Sequence, residues 1–132
     1  MKKHIISILS LVILFISSNA FMKSIQSDPI VGTWINTNDS NVKLVFANDN
    51  KEKVYYNGEL LSTYTYDVTR DPVQCGVDMS ERLQENPGES ILVETNTQTN
   101  EKNCELVYNL TQEYLSLSSF GHSEISLFKK QD

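Results

Sequence analysis

From Ile30 onward, apolar and polar residues alternate in short runs, and turn-forming residues separate these runs at close intervals. Successive side chains of a β-strand point to opposite faces of a sheet, so this period of two is typical of strands with one buried face. The strongest local signal is Asn57-Gly58, which suits the two positive φ angles of a two-residue type I′ hairpin. The chain is therefore expected to form antiparallel strands joined by short turns.

The alternating runs define the predicted strands. They lie near residues 30–35, 42–46, 54–56, 60–69, 91–93, 104–110, 114–118 and 125–128. Consecutive strands joined by short turns usually pair with each other, and eight strands with one buried face lose their edges when they close into a barrel. The sequence predicts an all-β fold, an eight-stranded antiparallel up-and-down barrel.

Residues 70–89 interrupt this alternation and are predicted to form a long loop, because proline, glycine and acidic residues are frequent there. Within the loop, residues 78–85 are compatible with a short helix that has Asp78 as its N-cap. Acidic residues in and around the loop are expected to be solvated: Asp67, Asp71, Asp78, Glu81, Glu85 and Glu89.

The N-terminus has the pattern of a signal peptide. Lys2 and Lys3 precede an apolar run at residues 5–16, and Ser18-Asn19-Ala20 supplies small residues at a cleavage site. This run is shorter than the roughly 20 residues of a membrane-spanning helix. We therefore expect a signal peptide at residues 1–20, a lead-in segment at 21–29 and one domain at 30–130. The protein is expected to be exported, periplasmic or secreted, without stable membrane insertion after cleavage.

The chain has two cysteines, Cys75 and Cys104. An even number of cysteines in an exported protein is most simply explained by a disulfide. A bond between Cys75 and Cys104 would close a loop of about thirty residues, which corresponds to roughly 3–4 kcal/mol in the chain-entropy model. The alternative, a catalytic or metal-binding thiol, would need partners that the chain hardly supplies.

Charge argues against nucleic acid as a partner. The formal net charge is −6, and loss of Lys2 and Lys3 with the signal peptide would make it more negative. Such a protein repels phosphates unless its few basic residues are clustered.

No catalytic signature is present. After the predicted signal peptide, His122 is the single histidine, and no G-x-S-x-G, P-loop or dinucleotide-binding pattern occurs. Calcium-loop spacing is absent, and one histidine with two oxidised cysteines does not suit zinc. We expect no enzymatic activity, no cofactor and no metal site.

The inner face of the barrel is the candidate ligand site. Alternation assigns to it a mainly apolar set with several tyrosine hydroxyls: Trp34, Leu44, Phe46, Tyr56, Tyr64, Tyr66, Leu106, Tyr108, Leu115, Leu117, Ile125 and Leu127. Of these, the predicted ligand-binding residues are Phe46, Tyr56, Tyr64, Tyr66, Leu106, Tyr108 and Leu117. Such a lining suits a small apolar or aromatic ligand, although the same side chains would also fill a small barrel completely.

The segment Gly32-Thr33-Trp34 resembles the G-x-W start of lipocalin-like (calycin) proteins, and its position on the first strand is that of the family. The number of predicted strands and the export signal agree with this resemblance, which extends over residues 28–130. Within the family, the chain is most similar to small exported bacterial members. It implies that Gly32 and Trp34 form the barrel base and that a basic residue from the end of the barrel packs across Trp34. The resemblance does not assign this second role, because the chain ends with Lys129 and Lys130 and has no arginine beyond Arg82.

Two functions compete. The first is a lipocalin-like binding protein that holds a small apolar ligand, with residues 70–89 as a lid tethered through Cys75. The second is an exported protein–protein interaction module, similar to barrel-shaped protease inhibitors, that acts through residues 21–28 or through loop 70–89.

Overall fold

The computed structural model describes residues 28–132. The predicted signal peptide at 1–20 and residues 21–27 of the predicted lead-in lie outside the described residues. The described residues form ten strands and one helix: β1 (Gly32–Asn36), β2 (Val42–Phe46), β3 (Lys51–Tyr56), β4 (Glu59–Thr69), β5 (Val73–Gln74), β6 (Val77–Asp78), α1 (Ser80–Glu85), β7 (Ser90–Asn96), β8 (Lys102–Leu110), β9 (Tyr114–Ser119) and β10 (Ser126–Gln131).

Eight of these strands close into an antiparallel barrel, in the order β1-β10-β9-β8-β7-β4-β3-β2. The barrel closes where β10 pairs with β1, so that Trp34 lies opposite Lys130. Apart from this closure and the long connection from β4 to β7, each barrel strand pairs with the next one in the chain. The predicted fold class is confirmed. The hairpin prediction is also confirmed, because Asn57 and Gly58 have φ angles of 50° and 81°.

One end of the barrel is filled by an inner core around Trp34. The inner core consists of Ile30, Trp34, Leu44, Phe46, Tyr66, Leu92, Val107, Leu115, Leu117 and Phe128. Trp34 is completely buried, and its indole N–H donates a 2.7 Å hydrogen bond to the backbone carbonyl of Ile30. The barrel base predicted at Trp34 therefore has both the apolar packing and the polar partner that a buried tryptophan needs.

Lys130 packs across Trp34 at this end. Its ammonium nitrogen lies 5.0 Å from the centroid of the indole ring and donates a 3.1 Å hydrogen bond to the carbonyl of Pro29. Gly32 makes this arrangement possible, because its φ of 140° is a conformation that side chains disfavour. A Cβ at this position would also lie 2.4 Å from Cε of Lys130.

Loop 70–89 forms a second layer outside the barrel. It contains the β5–β6 hairpin, which the alternation did not predict, and α1, which begins two residues later than predicted. The prediction of Asp78 as the N-cap is wrong, because Met79 takes this position. The Asp78 carboxylate accepts a 2.9 Å hydrogen bond from the backbone N–H of Ser80. Leu83 of α1 joins an outer cluster on the barrel wall, which consists of Leu83, Ile91, Cys104 and Leu106 and contacts Met79, Val93, Tyr108 and Phe120.

Two arginines hold this layer in place. Arg70, at the end of β4, donates hydrogen bonds to the backbone carbonyls of Leu83, Pro87 and Glu89. Arg82 forms a bidentate ion pair with the Glu89 carboxylate, at 2.8 and 2.9 Å. The expectation that Glu89 is solvated is wrong, because this side chain is buried and paired with Arg82.

The predicted disulfide is confirmed, with Cys75 bonded to Cys104. It fastens the exposed turn of the β5–β6 hairpin to β8, where Cys104 is buried. A disulfide fits a protein outside the reducing cytoplasm. Within residues 28–132, no helix has the length and apolar character needed to cross a membrane.

Candidate functional site

The barrel is not completely filled. Beyond the inner core lies an inner cavity of about 190 Å³, lined by Leu44, Glu52, Val54, Tyr64, Glu94, Glu105, Leu117, Ser126 and Phe128. Three glutamates on three different strands thus share a cavity whose other walls are mostly apolar. Interior carboxylates of this kind are uncommon, because removing a charge from water is costly unless it is paired.

Strand alternation directs these glutamates inward. Glu52 lies opposite Phe46 on β2 and Tyr64 on β4, Glu94 lies opposite Tyr66, and Glu105 lies opposite Leu92. Directly paired residues point to the same face of a sheet. Because these partners belong to the inner core or line the inner cavity, the glutamates must face the interior as well.

Glu52 is the most isolated of the three. Its side chain is completely buried, and no N–H or hydroxyl donor of residues 28–132 bonds to Oε1 or Oε2. Its one hydrogen-bond contact among these residues is the neighbouring Glu94 carboxyl group. Glu94 is 8 % exposed. Glu105 is half-buried and accepts a 3.2 Å hydrogen bond from the Ser119 hydroxyl. The cavity therefore contains acceptor oxygens that the protein itself leaves largely unsatisfied.

No basic side chain in the part of the chain that the structure describes compensates these carboxylates. Between residues 28 and 132, Arg82–Glu89 is the only ion pair within 4.0 Å, and it lies in the outer layer. The same part of the chain contains no group of three or more His, Cys, Asp or Glu side chains placed to hold a metal ion. The inner carboxylates thus have neither a cationic partner from the chain nor the arrangement of a metal site.

Burial shifts the proton affinity of all three carboxyl groups. Burial, followed by the proximity of Glu94 and then Glu105, raises the pKa of Glu52 to about 11. Burial also raises the pKa of Glu94, and burial with the charge of Glu94 raises the pKa of Glu105 to about 7. At neutral pH the Glu52 carboxyl is therefore protonated, and its O–H can donate a hydrogen bond to the neighbouring Glu94 carboxyl group. Two ionised carboxylates could not satisfy each other, because both would be acceptors.

We predict that the stability of the protein falls as the pH rises above about 4.5, the ordinary pKa of Glu52. Between this value and the raised pKa the folded state binds more protons than the unfolded state, so stability decreases by about 1.4 kcal/mol per pH unit for one such group. Glu105 contributes in the same direction up to about pH 7. Urea unfolding at several pH values between 5 and 8 measures this slope.

A glutamine at position 52 cannot ionise, so the Glu52→Gln variant should have a smaller slope and be more stable than wild type at pH 8. Glu59, which is exposed at the start of β4, supplies the control variant Glu59→Gln, which should retain the wild-type slope. A wild-type stability that increases from pH 5 to pH 8 would contradict the prediction.

Two surface depressions near β8, β9 and β10 adjoin the inner cavity. A surface depression of about 140 Å³ shares Glu105, Leu117 and Ser126 with the inner cavity and extends to His122 and Glu124. A second depression, of about 400 Å³, shares Glu94 and Glu105 with it and reaches the disulfide. Glu105 therefore lies at the junction of the cavity and the surface.

The structure brings four of the predicted ligand-binding residues into the interior. Tyr64 and Leu117 line the inner cavity, whereas Phe46 and Tyr66 belong to the inner core. The Tyr66 hydroxyl donates a 3.0 Å hydrogen bond to the carbonyl of Ala47, and its ring packs edge-to-face on Phe46 at 5.0 Å. Tyr66 is therefore satisfied without a ligand, and Tyr64 is the inner tyrosine that remains available.

The placement of Leu106 and Tyr108 on the inner face is wrong, and Tyr56 does not line the inner cavity. Tyr56 lies opposite Val42 of β2 but is 47 % exposed, because it is the last residue of β3 and precedes the Asn57-Gly58 turn. Leu106 and Tyr108 belong to the outer cluster. Both faces of β8 are covered, so its outer face is as apolar as its inner one.

Ile125 and Leu127 are also wrongly assigned to the interior. They are 46 % and 37 % exposed, and Phe128 takes the inner position of β10, opposite Leu115.

Leu106 and Tyr108 line a different cavity. This outer groove, of about 200 Å³, is formed by Val77, Met79, Arg82, Leu106, Tyr108, Ser118, Ser119, Phe120, Gly121 and His122. The Arg82 guanidinium lies 5.0 Å from the centre of the Tyr108 ring, but it is already paired with Glu89. The polar groups of the outer groove thus satisfy one another to a greater extent than those of the inner cavity.

The three inner glutamates were missed because charged residues were taken to face solvent. One signal was available in each case. Glu94 is two residues from Leu92, Glu105 is two residues from Val107, and Glu52 is two residues from Val54. In a regular strand, residues two apart share a face.

Comparison of the chain with protein-family models, with curated proteins and with solved structures finds no match in any of the three.

Proposed function

We propose that this chain is an exported, non-enzymatic binding protein that holds a small ligand in the inner cavity of its barrel. The observation that carries the proposal is the inner cavity itself, in which no donor group of residues 28–132 satisfies the oxygens of the buried Glu52. Buried polar side chains in native proteins nearly always have a partner, so an exception calls for an explanation. A ligand that supplies the missing hydrogen bonds is such an explanation.

The dimensions of the cavity restrict the ligand. Pockets for drug-sized molecules usually measure about 300–1,000 Å³, whereas the inner cavity measures about 190 Å³. The proposed ligand is accordingly smaller than a typical drug molecule. Leu44, Val54 and Phe128 offer apolar contact, and the Tyr64 hydroxyl can orient a polar group.

The packing at the closed end supports a lipocalin-like assignment. Lys130 across Trp34, with Gly32 beneath it, has the arrangement that the resemblance implies for the barrel base. Export to the periplasm or beyond is part of the same proposal, supported by the signal-like N-terminus and the Cys75–Cys104 disulfide.

Filling the cavity tests the proposal. An environment-sensitive apolar dye should bind wild-type protein saturably, and Leu117→Trp should abolish binding, because an indole at this position occupies the inner cavity. Leu127→Trp is the matched control, since Leu127 is exposed on the outer face of β10, and it should bind like wild type. Near-ultraviolet circular dichroism verifies that each variant is folded.

Two results of the dye experiment would contradict the proposal. Equal dye binding by wild type and by a folded Leu117→Trp variant would place the dye outside the inner cavity and overturn the proposal. Absence of saturable binding by wild type would do the same. It would favour the second candidate, a protein-interaction module, for which the exposed Val73 and Val77 on the disulfide-anchored hairpin are the supporting observation.

A further inference from the structure

We propose that the ligand of the inner cavity is a small organic amine in its protonated form, held by the carboxyl groups of Glu52, Glu94 and Glu105. The inference rests on the proposed function and specifies its ligand class. It departs from the small apolar or aromatic ligand that the sequence suggested, because three carboxyl groups lie inside the barrel.

The charge of the cavity is the first step. Three carboxyl groups from three neighbouring or facing strands line one space, together with the side chains of Tyr64 and Ser126. No basic side chain pairs with any of them, because the sole ion pair found in residues 28–132 is in the outer layer. An anionic ligand would be repelled, whereas a cation would supply the missing partner.

Glu52 supplies the second, independent step. Its side chain is completely buried, and no N–H or hydroxyl donor of residues 28–132 bonds to either of its oxygens, so that it contacts only another carboxyl group, that of Glu94. An ammonium group has three N–H donors and no acceptor. Once Glu52 has released its proton, an ammonium group matches the carboxylate acceptors of the site, and charge-assisted hydrogen bonds of this type are about twice as strong as neutral ones.

The remaining walls favour an organic cation. Leu44, Val54, Leu117 and Phe128 form the apolar part of the lining, which would desolvate an inorganic ion without replacing its water ligands. A hydrocarbon portion on the amine gains from burial against these side chains. The described residues contain no acidic cluster placed to coordinate a metal ion, which agrees with this choice.

Binding should be coupled to proton release. Glu52 retains its proton at neutral pH when no amine is bound. The titratable groups around it are Glu94 on β7, Glu105 on β8, and Tyr64 and Tyr66 on β4. Lys102, His122 and Glu124 lie along the surface depressions that reach Glu105. An ammonium group stabilises the ionised carboxylates, so affinity should increase between pH 6 and pH 8, as Glu105 ionises with a pKa of about 7.

Isothermal titration calorimetry with benzylamine and its neutral analogue, benzyl alcohol, tests the inference. Benzylamine should bind more tightly than benzyl alcohol to wild-type protein at pH 8. Titrations in buffers of different ionisation enthalpy should detect proton release from the protein when benzylamine binds, but not when benzyl alcohol binds. Glu52→Gln should lower the affinity for benzylamine roughly 10- to 100-fold. It should change the affinity for benzyl alcohol by no more than a few-fold. The exposed control Glu59→Gln should change neither affinity.

The two probes separate this inference from the proposed function. If benzyl alcohol binds as tightly as benzylamine, or if Glu52→Gln weakens both equally, the amine assignment is overturned and a ligand-binding barrel still stands. Tighter binding of calcium chloride than of benzylamine also overturns the amine assignment. If neither organic probe nor the apolar dye binds, both the inference and the proposed function fail.

Discussion

Replacing Trp34 with alanine should lower the free energy of unfolding by about 3–5 kcal/mol, the usual cost of removing a buried large aromatic side chain. Small domains have only about 5–15 kcal/mol of stability in total, so much of the protein would be unfolded at moderate temperature. Trp34 is completely buried in the inner core. The variant would also lose the hydrogen bond to Ile30 and the contact with Lys130.

Chemical denaturation of wild type, Trp34→Ala and Trp34→Phe measures this effect. Trp34→Phe retains most of the apolar area and should lose clearly less stability than Trp34→Ala. Tyr114→Ala is the control for an exposed aromatic residue and should remain close to wild type. If Trp34→Ala melted within a few degrees of wild type, Trp34 would not be the centre of the inner core.

Loss of the disulfide should cost roughly 3–4 kcal/mol, because the bond closes a loop with a sequence separation of 29 and thereby restricts the unfolded chain. Cys75→Ala, Cys104→Ala and the double variant should lose similar amounts, since each removes the same crosslink. Cys104→Ala should lose slightly more, because Cys104 is buried in the outer cluster whereas Cys75 is exposed.

Urea unfolding of the three variants, with alkylation of the unfolded and unreduced wild type, provides the measurement. Wild type should have no free thiol. Alkylation of both cysteines in protein purified under oxidising conditions would contradict the bond. A double variant that loses the sum of the two single losses would show that the cysteines act separately.

The strands could be predicted because each needs only a local pattern. One face of a barrel strand meets the interior and the other meets solvent, so the alternation of Val42–Phe46 or Tyr114–Ser119 is visible in the sequence. The β5–β6 hairpin has strands of two residues each, which are too short to show a period. It is held by the disulfide rather than by its own pattern.

The orientation of β8 could not be predicted in the same way. Cys104 and Leu106 face the outer layer while Glu105 and Val107 face the interior. Because α1 and the hairpin cover the outer face, hydrophobicity alone marks the wrong side as buried. For the same reason Tyr108 was wrongly predicted to face the interior, and Glu105 was not predicted as a candidate site residue.

The sequence by itself determined the all-β class, the number of barrel strands, the type I′ turn at Asn57-Gly58 and the pairing of Cys75 with Cys104, because each depends on residues that are adjacent in the chain or on a single possible partner. The tertiary structure alone decided that Glu52, Glu94 and Glu105 meet in one cavity and that Lys130 covers Trp34. These residues are far apart in the chain, and only the closure of the barrel and the register of its strands bring them together.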